Sequence, residues 1–233
     1  RFIFAHILHG TVVMYDIESF YYKQSLTVYS CIRCTNDKFQ INNKSITAMN
    51  YLLPHTIDNL LGEKLIFKRL LHEPDGDVLV GENFVQPGSG PPMHTHWLQD
   101  EGFTVLKGRI GYQLAGQPEQ YANAGESIVF KRGTPHRFWN AGPDVLHCEG
   151  WLKPANTSIF FLSSIFAAQK KSGKAQPEIF DAAYLIIRYA SEYEMNEMPV
   201  FVRKVILPVV YRIGKLLNKY EHFKDAPEPI KHL

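Results

Sequence analysis

The sequence predicts a mainly β chain, a barrel of short strands followed by two or three helices. Three observations predict it. From residue 62 to 153, short alternating or apolar runs are divided by turn residues, as in all-β sandwiches and barrels. From Asn156 onward the apolar period becomes helical. Two segments rich in metal-ligating side chains, 94–101 and 131–136, fall inside the strand-rich part.

The strand runs are 64–72, 78–85, 93–97, 103–107, 110–114, 127–131, 136–140 and 145–152. Between them lie Pro74-Asp75-Gly76-Asp77, Lys107-Gly108, Ala115-Gly116-Gln117-Pro118 and Ala141-Gly142-Pro143-Asp144. These residues supply positive φ or a fixed φ where a chain must reverse. About eight strands at this spacing fit a jelly roll. A first helix is expected with Asn156 or Thr157 as its cap, running through Phe161, Ile165 and Phe166 to Lys170, Lys171 and Gly173. Pro177 suits the first turn of a second, with Glu178 and Asp181 near its positive end and Ala182, Leu185, Ile186 and Tyr189 as its apolar stripe.

A third helical segment follows Pro199. Val202, Val205, Ile206, Val209, Ile213, Leu216 and Leu217 share one side, and Pro208 is expected to kink it. Arg203, Lys204, Arg212, Lys215 and Lys219 gather opposite. Peripheral membrane contact by residues 199–220 suits such a helix. The reading preferred from sequence is that the stripe packs on the barrel or on a second subunit, leaving the lysines solvated.

Composition narrows the function classes. With 233 residues, 45% hydrophobic and 21% charged, the chain suits one domain with additions, or one and a half domains. A net charge of +2, with no basic stripe interleaved with aromatics, argues against nucleic acid. No apolar run reaches the eighteen or so residues of a membrane span. Cys31, Cys34 and Cys148 make no disulfide framework, so a reducing, cytoplasmic location is expected. Cys31-Ile32-Arg33-Cys34 is a lone CxxC with no second ligand pair, and chance accounts for it best.

The chemistry lies in His94-Thr95-His96-Trp97-Leu98-Gln99-Asp100-Glu101 and Lys131-Arg132-Gly133-Thr134-Pro135-His136. Histidines at i and i+2 face the same way from a strand. Three neutral imidazoles and one carboxylate suit a divalent transition metal with positions left open for substrate. Strand parity would turn Glu101 away from His96, so a bend over 97–100 is required. Asp100 is the rival carboxylate, and Glu101 is preferred for its longer arm and its spacing to Gly108. Parity also nominates Phe138 and Asn140, with Phe103 and Val105, as cavity lining, and turns Arg137 and Trp139 to the other side.

Read as spacings, HxH is followed by Glu101 and Gly108, then Gly125, Gly133, His136 and Asn140. This arrangement resembles the two signature motifs of the cupin superfamily, over roughly residues 75–152. Lys131 departs from it, standing where that family usually has proline. The resemblance implies a jelly-roll β-barrel whose metal is held by His94, His96, Glu101 and His136. Iron is the metal expected foremost, with manganese, zinc, nickel and copper as alternatives. It also implies a homodimer and a small organic ligand. The function expected is a metal-dependent dioxygenase like the quercetin dioxygenase-like members, with Glu101 also a proton acceptor. The alternative is a non-enzymatic small-molecule binding cupin.

The organisation expected is a barrel over 49–153, a helical extension over 154–233, and an extension of doubtful status over 1–48. That first part is proline-free and opens on Arg1, while Met49-Asn50-Tyr51-Leu52-Leu53-Pro54 reads like an ordinary start. An upstream reading frame or an appended extension produces this texture. The competing reading is a strand-rich arm around Phe20-Tyr21-Tyr22 and 26–29.

Overall fold

The computed structural model describes residues 3–8, 11–16 and 51–231. The chain divides into two units, residues 1–43 and 44–233, each described by itself. In the first, Ile3–Leu8 (β1) and Thr11–Asp16 (β2) pair as an antiparallel hairpin. The rest of the 1–48 extension, its CxxC and Met49 lie outside the described residues.

The second unit opens with ten strands. They are β3 (His55–Asp58), β4 (Glu63–Leu71), β5 (Val78–Val85), β6 (His94–His96), β7 (Asp100–Lys107), β8 (Arg109–Leu114), β9 (Gln120–Asn123), β10 (Ser127–Phe130), β11 (His136–Asn140) and β12 (Leu146–Lys153). Helices α1 (Ser158–Ser172) and α2 (Ile179–Arg188), a short strand β13 (Tyr193–Met195) and helix α3 (Leu207–Leu216) follow. The strands form a six-stranded sheet, β10-β7-β12-β5-β4-β3, and a five-stranded sheet, β13-β6-β11-β8-β9. Every pairing is antiparallel. This is the jelly-roll barrel with C-terminal helices that the residues predict.

Alternation places the barrel core. Val85, Phe103, Val105, Phe138, Leu146 and Cys148 point inward from strands of both sheets and pack as one cluster. The turn glycines Gly108, Gly125 and Gly133 sit at φ of +93°, +90° and +76°, where an L side chain is strained. β3, β9 and β13 were not expected. Each has only three or four residues, too few for a two-residue period to register.

α1 closes over one wall, Phe166 packing with Phe67, Leu79 and Leu152. It ends at Gly173, in the left-handed conformation, whose N–H donates to the Gln169 carbonyl. Thr157 precedes the helix without capping it, because its hydroxyl is committed elsewhere. Glu178 caps α2, accepting from the N–H groups of Phe180 and Asp181. Pro177 therefore lies just outside that helix rather than in its first turn.

The third helical segment corrects one expectation. A π-helical turn over Val202–Ile206 leads directly into α3, and the Leu207 N–H reaches back to the Val202 carbonyl. This wider turn comes just before Pro208, which has no N–H to donate. The side that packs on α2 is Leu207 with Val202, Val210 and Tyr211, against Ala182, Ala183 and Ile186. Of the predicted stripe, Val202 packs there, while Val205, Ile206, Val209, Ile213, Leu216 and Leu217 are exposed rather than packed on the barrel. Periodicity shows that an apolar face exists, but not what lies against it.

Near the start of β4, burial pushes the Glu63 carboxyl up to about 7, only partly offset by a 3.4 Å hydrogen bond from Asn59. The folded chain keeps a proton that the unfolded chain releases above its ordinary value of 4.5, so stability falls as pH rises from 4.5 through 7. Glu63→Gln is expected to raise stability by about 1–3 kcal/mol at pH 8 and to change it little near pH 4. Urea midpoints at the two pH values check this, and an equal shift at both would contradict it.

Candidate metal centre

β6 is only His94-Thr95-His96, so its geometry is simple. Both imidazoles face the barrel interior, while the Thr95 hydroxyl donates to Asn196 Oδ1 at 2.8 Å. Strand β11 pairs on one side, His136 opposite His94, and β13 pairs on the other, Tyr193 opposite His96. After His96 the chain leaves the five-stranded sheet, turns over residues 97–99 and enters the six-stranded sheet as β7. Glu101 therefore faces the same interior from the other sheet, which resolves its parity.

Asp100, the rival carboxylate, points outward. It accepts hydrogen bonds from Lys131 Nζ at 3.3 Å, the Arg132 N–H at 2.9 Å and Arg132 Nε at 3.1 Å. The Gly133 N–H in the same turn donates to the His96 carbonyl at 2.7 Å. Asp100 thus holds the turn that delivers His136. Lys131, where the motif departs from its pattern, supplies one of these contacts.

The structure brings all four predicted side chains together. Glu101 Oε2 lies 2.9 Å from His136 Nε2, 3.8 Å from His96 Nε2 and 4.0 Å from His94 Nε2. The four ligand atoms lie within 4.8 Å of one another, and all four residues are buried. The Nδ1–H of His94 donates to the Pro92 carbonyl and that of His136 to the Thr134 carbonyl, each at 2.8 Å. Each ring is held so that its Nε2 faces the cluster. Among the described residues, His96 Nδ1 is buried without a hydrogen-bond partner. Phe130 stacks on His136 at 4.1 Å, and Tyr193 meets His96 edge-on at 5.5 Å.

Charge follows from this burial. Burial first, then the neighbouring histidines, brings the His94 imidazole down to about 3, and burial lowers His96 as well. Burial raises the Glu101 carboxyl, but the surrounding imidazoles, His96 foremost, outweigh it and hold it at about 2. Neutral His94 and His96 beside an ionised carboxylate are the protonation states a divalent cation requires. Three nitrogen donors, one oxygen donor and ring orientations held from behind fit a transition metal.

A buried polar network supports the centre. Glu192 is fully buried and accepts from Gln99 Nε2 at 2.9 Å, the Thr157 hydroxyl at 2.9 Å and the Ile230 N–H at 3.0 Å. Its own carbonyl accepts from the Trp97 N–H at 2.8 Å. The bend between His96 and Glu101 is thereby tied to α1 and to the C-terminal tail. Gln99 lies inside the first motif, where its role was open to inspection. Glu192 and Tyr193 carry no local signal, being distant in sequence and placed only by the β13 pairing.

A cavity of about 1000 Å³ opens onto the cluster, with His94, His96 and Glu101 in its wall. Phe103 and Phe138 line it as expected. Asn140 does not line it. Its amide Nδ2 donates to the carbonyls of Val85 and Asp144, and it is part of the fold rather than the cavity. Val105 likewise packs into the core. Arg137 and Trp139, expected to face the other side, line the cavity as well. Trp151, Phe161, Ile165 and Met195 extend the wall and keep it largely apolar.

Residues 84–148 match the cupin domain family. The chain is 34% identical over 93 residues to the probable oxidoreductase virH of Hypocrea virens, covering 36% of this chain and 42% of that protein. It is 37% identical over 76 residues to the oxidoreductase iacF of Pestalotiopsis fici, covering 30% of this chain and 37% of that protein. The chain thus spans about two fifths of the length of these curated relatives. Among solved structures, KdgF from Halomonas sp. is similar at a TM-score of 0.38 and 20% identity, over 45% of this chain and 92% of its own. A Klebsiella pneumoniae protein with a double-stranded β-helix domain is similar at a TM-score of 0.34 and 23% identity, over 40% and 78% respectively. Residues 84–148 carry a cupin domain, set within a jelly-roll barrel that is followed by C-terminal helices.

Proposed function

We propose that this chain is a metal-dependent oxidoreductase, a dioxygenase in the finer reading, acting on a small and largely apolar organic substrate. One observation carries the proposal: the four-residue ligand cluster forms part of the wall of a large apolar cavity. The curated relatives are named as oxidoreductases, which supports the reaction class. His94, His96, Glu101 and His136 would hold a transition metal, which would supply Lewis acidity and, if redox-active, electron-transfer chemistry.

The chain's own residues supply the rest. Phe103, Phe138 and Trp151 hold an apolar substrate and exclude water from the cluster. Glu101, ionised and facing the cavity, accepts the proton that an acidic substrate hydroxyl or thiol gives up on binding. The Asp100 clamp and the Glu192 network keep the carboxylate and imidazoles from shifting as this happens.

The test is elemental analysis of the purified chain, followed by oxygen uptake with a panel of phenolic and thiol substrates. A redox-active metal at about one ion per chain and substrate-dependent uptake, abolished by Glu101→Ala, are expected. A loaded chain that binds members of the panel yet consumes no oxygen would favour the non-enzymatic binding cupin instead.

A further inference from the structure

Outside the metal centre, a run of exposed apolar side chains lies on the C-terminal helix. Phe201 is 64% exposed, Val205 44%, Val209 48%, Ile213 44% and Leu216 86%. Steps of three and four residues bring these side chains to one face, and Val200, at 57%, begins the run. The opposite face is occupied, packing on α2 through Leu207, Val210 and Tyr211. An apolar face of this extent in contact with water marks an interaction surface.

The charges beside it indicate the partner. Between Pro199 and Tyr220 the sequence has Arg203, Lys204, Arg212, Lys215 and Lys219 and no Asp or Glu. Arg203 is paired with Glu194, while Lys204, Arg212, Lys215 and Lys219 are exposed. A second copy docking through the same face would bring two such basic sets together with no acid between 199 and 220 to compensate. A bilayer with anionic headgroups meets both requirements, taking the apolar side chains between its lipids and pairing the basic ones at its surface.

We propose that residues 200–217 form a docking surface for an anionic lipid bilayer. The helix would lie in the plane of the interface, since no described helix is long and apolar enough to cross a membrane. Met195, Met198 and Pro199, directly before this surface, line the cavity, so apolar cavity wall and apolar helix face are contiguous along the chain. The proposal is independent of what the metal centre does.

Co-sedimentation of the full chain with vesicles tests it. Binding to vesicles of phosphatidylcholine with about 30% phosphatidylserine is expected to exceed binding to pure phosphatidylcholine by roughly tenfold or more near 0.1 M salt, and to weaken as salt rises. The double variant Phe201→Glu, Leu216→Glu is expected to lose about tenfold or more of that binding with its circular dichroism and metal content unchanged. Lys204→Glu with Lys215→Glu should remove the preference for phosphatidylserine. Three results would overturn the proposal: absence of the wild type from both pellets; conversion of a dimer to a monomer by the apolar variant in sedimentation, which would place a second copy on the face; and melting of that variant well below the wild type, which would place a segment of the chain itself there.

Discussion

His96→Ala is expected to lower metal affinity by at least about a hundredfold while leaving the barrel folded. The change removes one of three imidazole donors, and loss of a supporting partner alone commonly costs 10- to 100-fold. His96 Nδ1 has no hydrogen-bond partner among the described residues, so truncation severs no protein hydrogen bond from that atom. His136 is different. It stacks on Phe130 and bonds to the Thr134 carbonyl, so His136→Ala combines metal loss with a packing defect. Elemental analysis after dialysis against a chelator, with circular dichroism of the same samples, separates the two effects. A His96→Ala chain that keeps one tightly held ion would show that other groups hold the metal. In the wild type, a ligand at about a thousand times its Kd stabilises by about 4 kcal/mol, so stripping the metal should lower Tm clearly.

Glu192→Ala is expected to have the largest effect on stability, about 3–5 kcal/mol, because four donors lose their acceptor at one buried point. Burial raises this carboxyl, so the cost is that of breaking a network rather than of losing a free charge. The defect should reach the metal centre through Gln99, which sits in the bend between His96 and Glu101. Metal affinity is expected to fall 10- to 100-fold in molecules that remain folded. Glu192→Gln keeps one acceptor oxygen and should recover part of both losses. Urea midpoints and metal titration of the two variants provide the comparison. If Glu192→Ala destabilises the chain but leaves metal affinity unchanged, the network serves the fold alone.

Much of the centre was legible because its determinants are local. His94 and His96 share a face of a three-residue strand, and their spacing alone says so. The required bend before Glu101 followed from parity, and the structure places a change of sheet there. The preference for Glu101 over Asp100 matches the observed geometry, with Asp100 turned outward to hold the Lys131–Gly133 turn. Parity was less reliable as a guide to the cavity. It grouped Asn140 with Phe138 correctly on one face, but burial depth along that face decided that Asn140 bonds to backbone while Phe138 meets the cavity.

The sequence by itself determined the alternating strands, the turns that positive φ makes obligatory for glycine, and the ligand types at their spacings. All of these act over a few residues, where backbone sterics and side-chain direction leave little choice. Only the tertiary structure decided that Tyr193–Met195 joins the histidine-bearing sheet, that Glu192 ties the ligand bend to α1, and which face of the last helix meets α2. Those outcomes depend on contacts between separate segments of the chain, such as Gln99 and Glu192 with a separation of 93. Periodicity carries no information about such pairings. The exposed stripe from Val205 to Leu217 shows the same limit: an apolar period says that a face must be covered, and the fold decides whether the chain itself covers it.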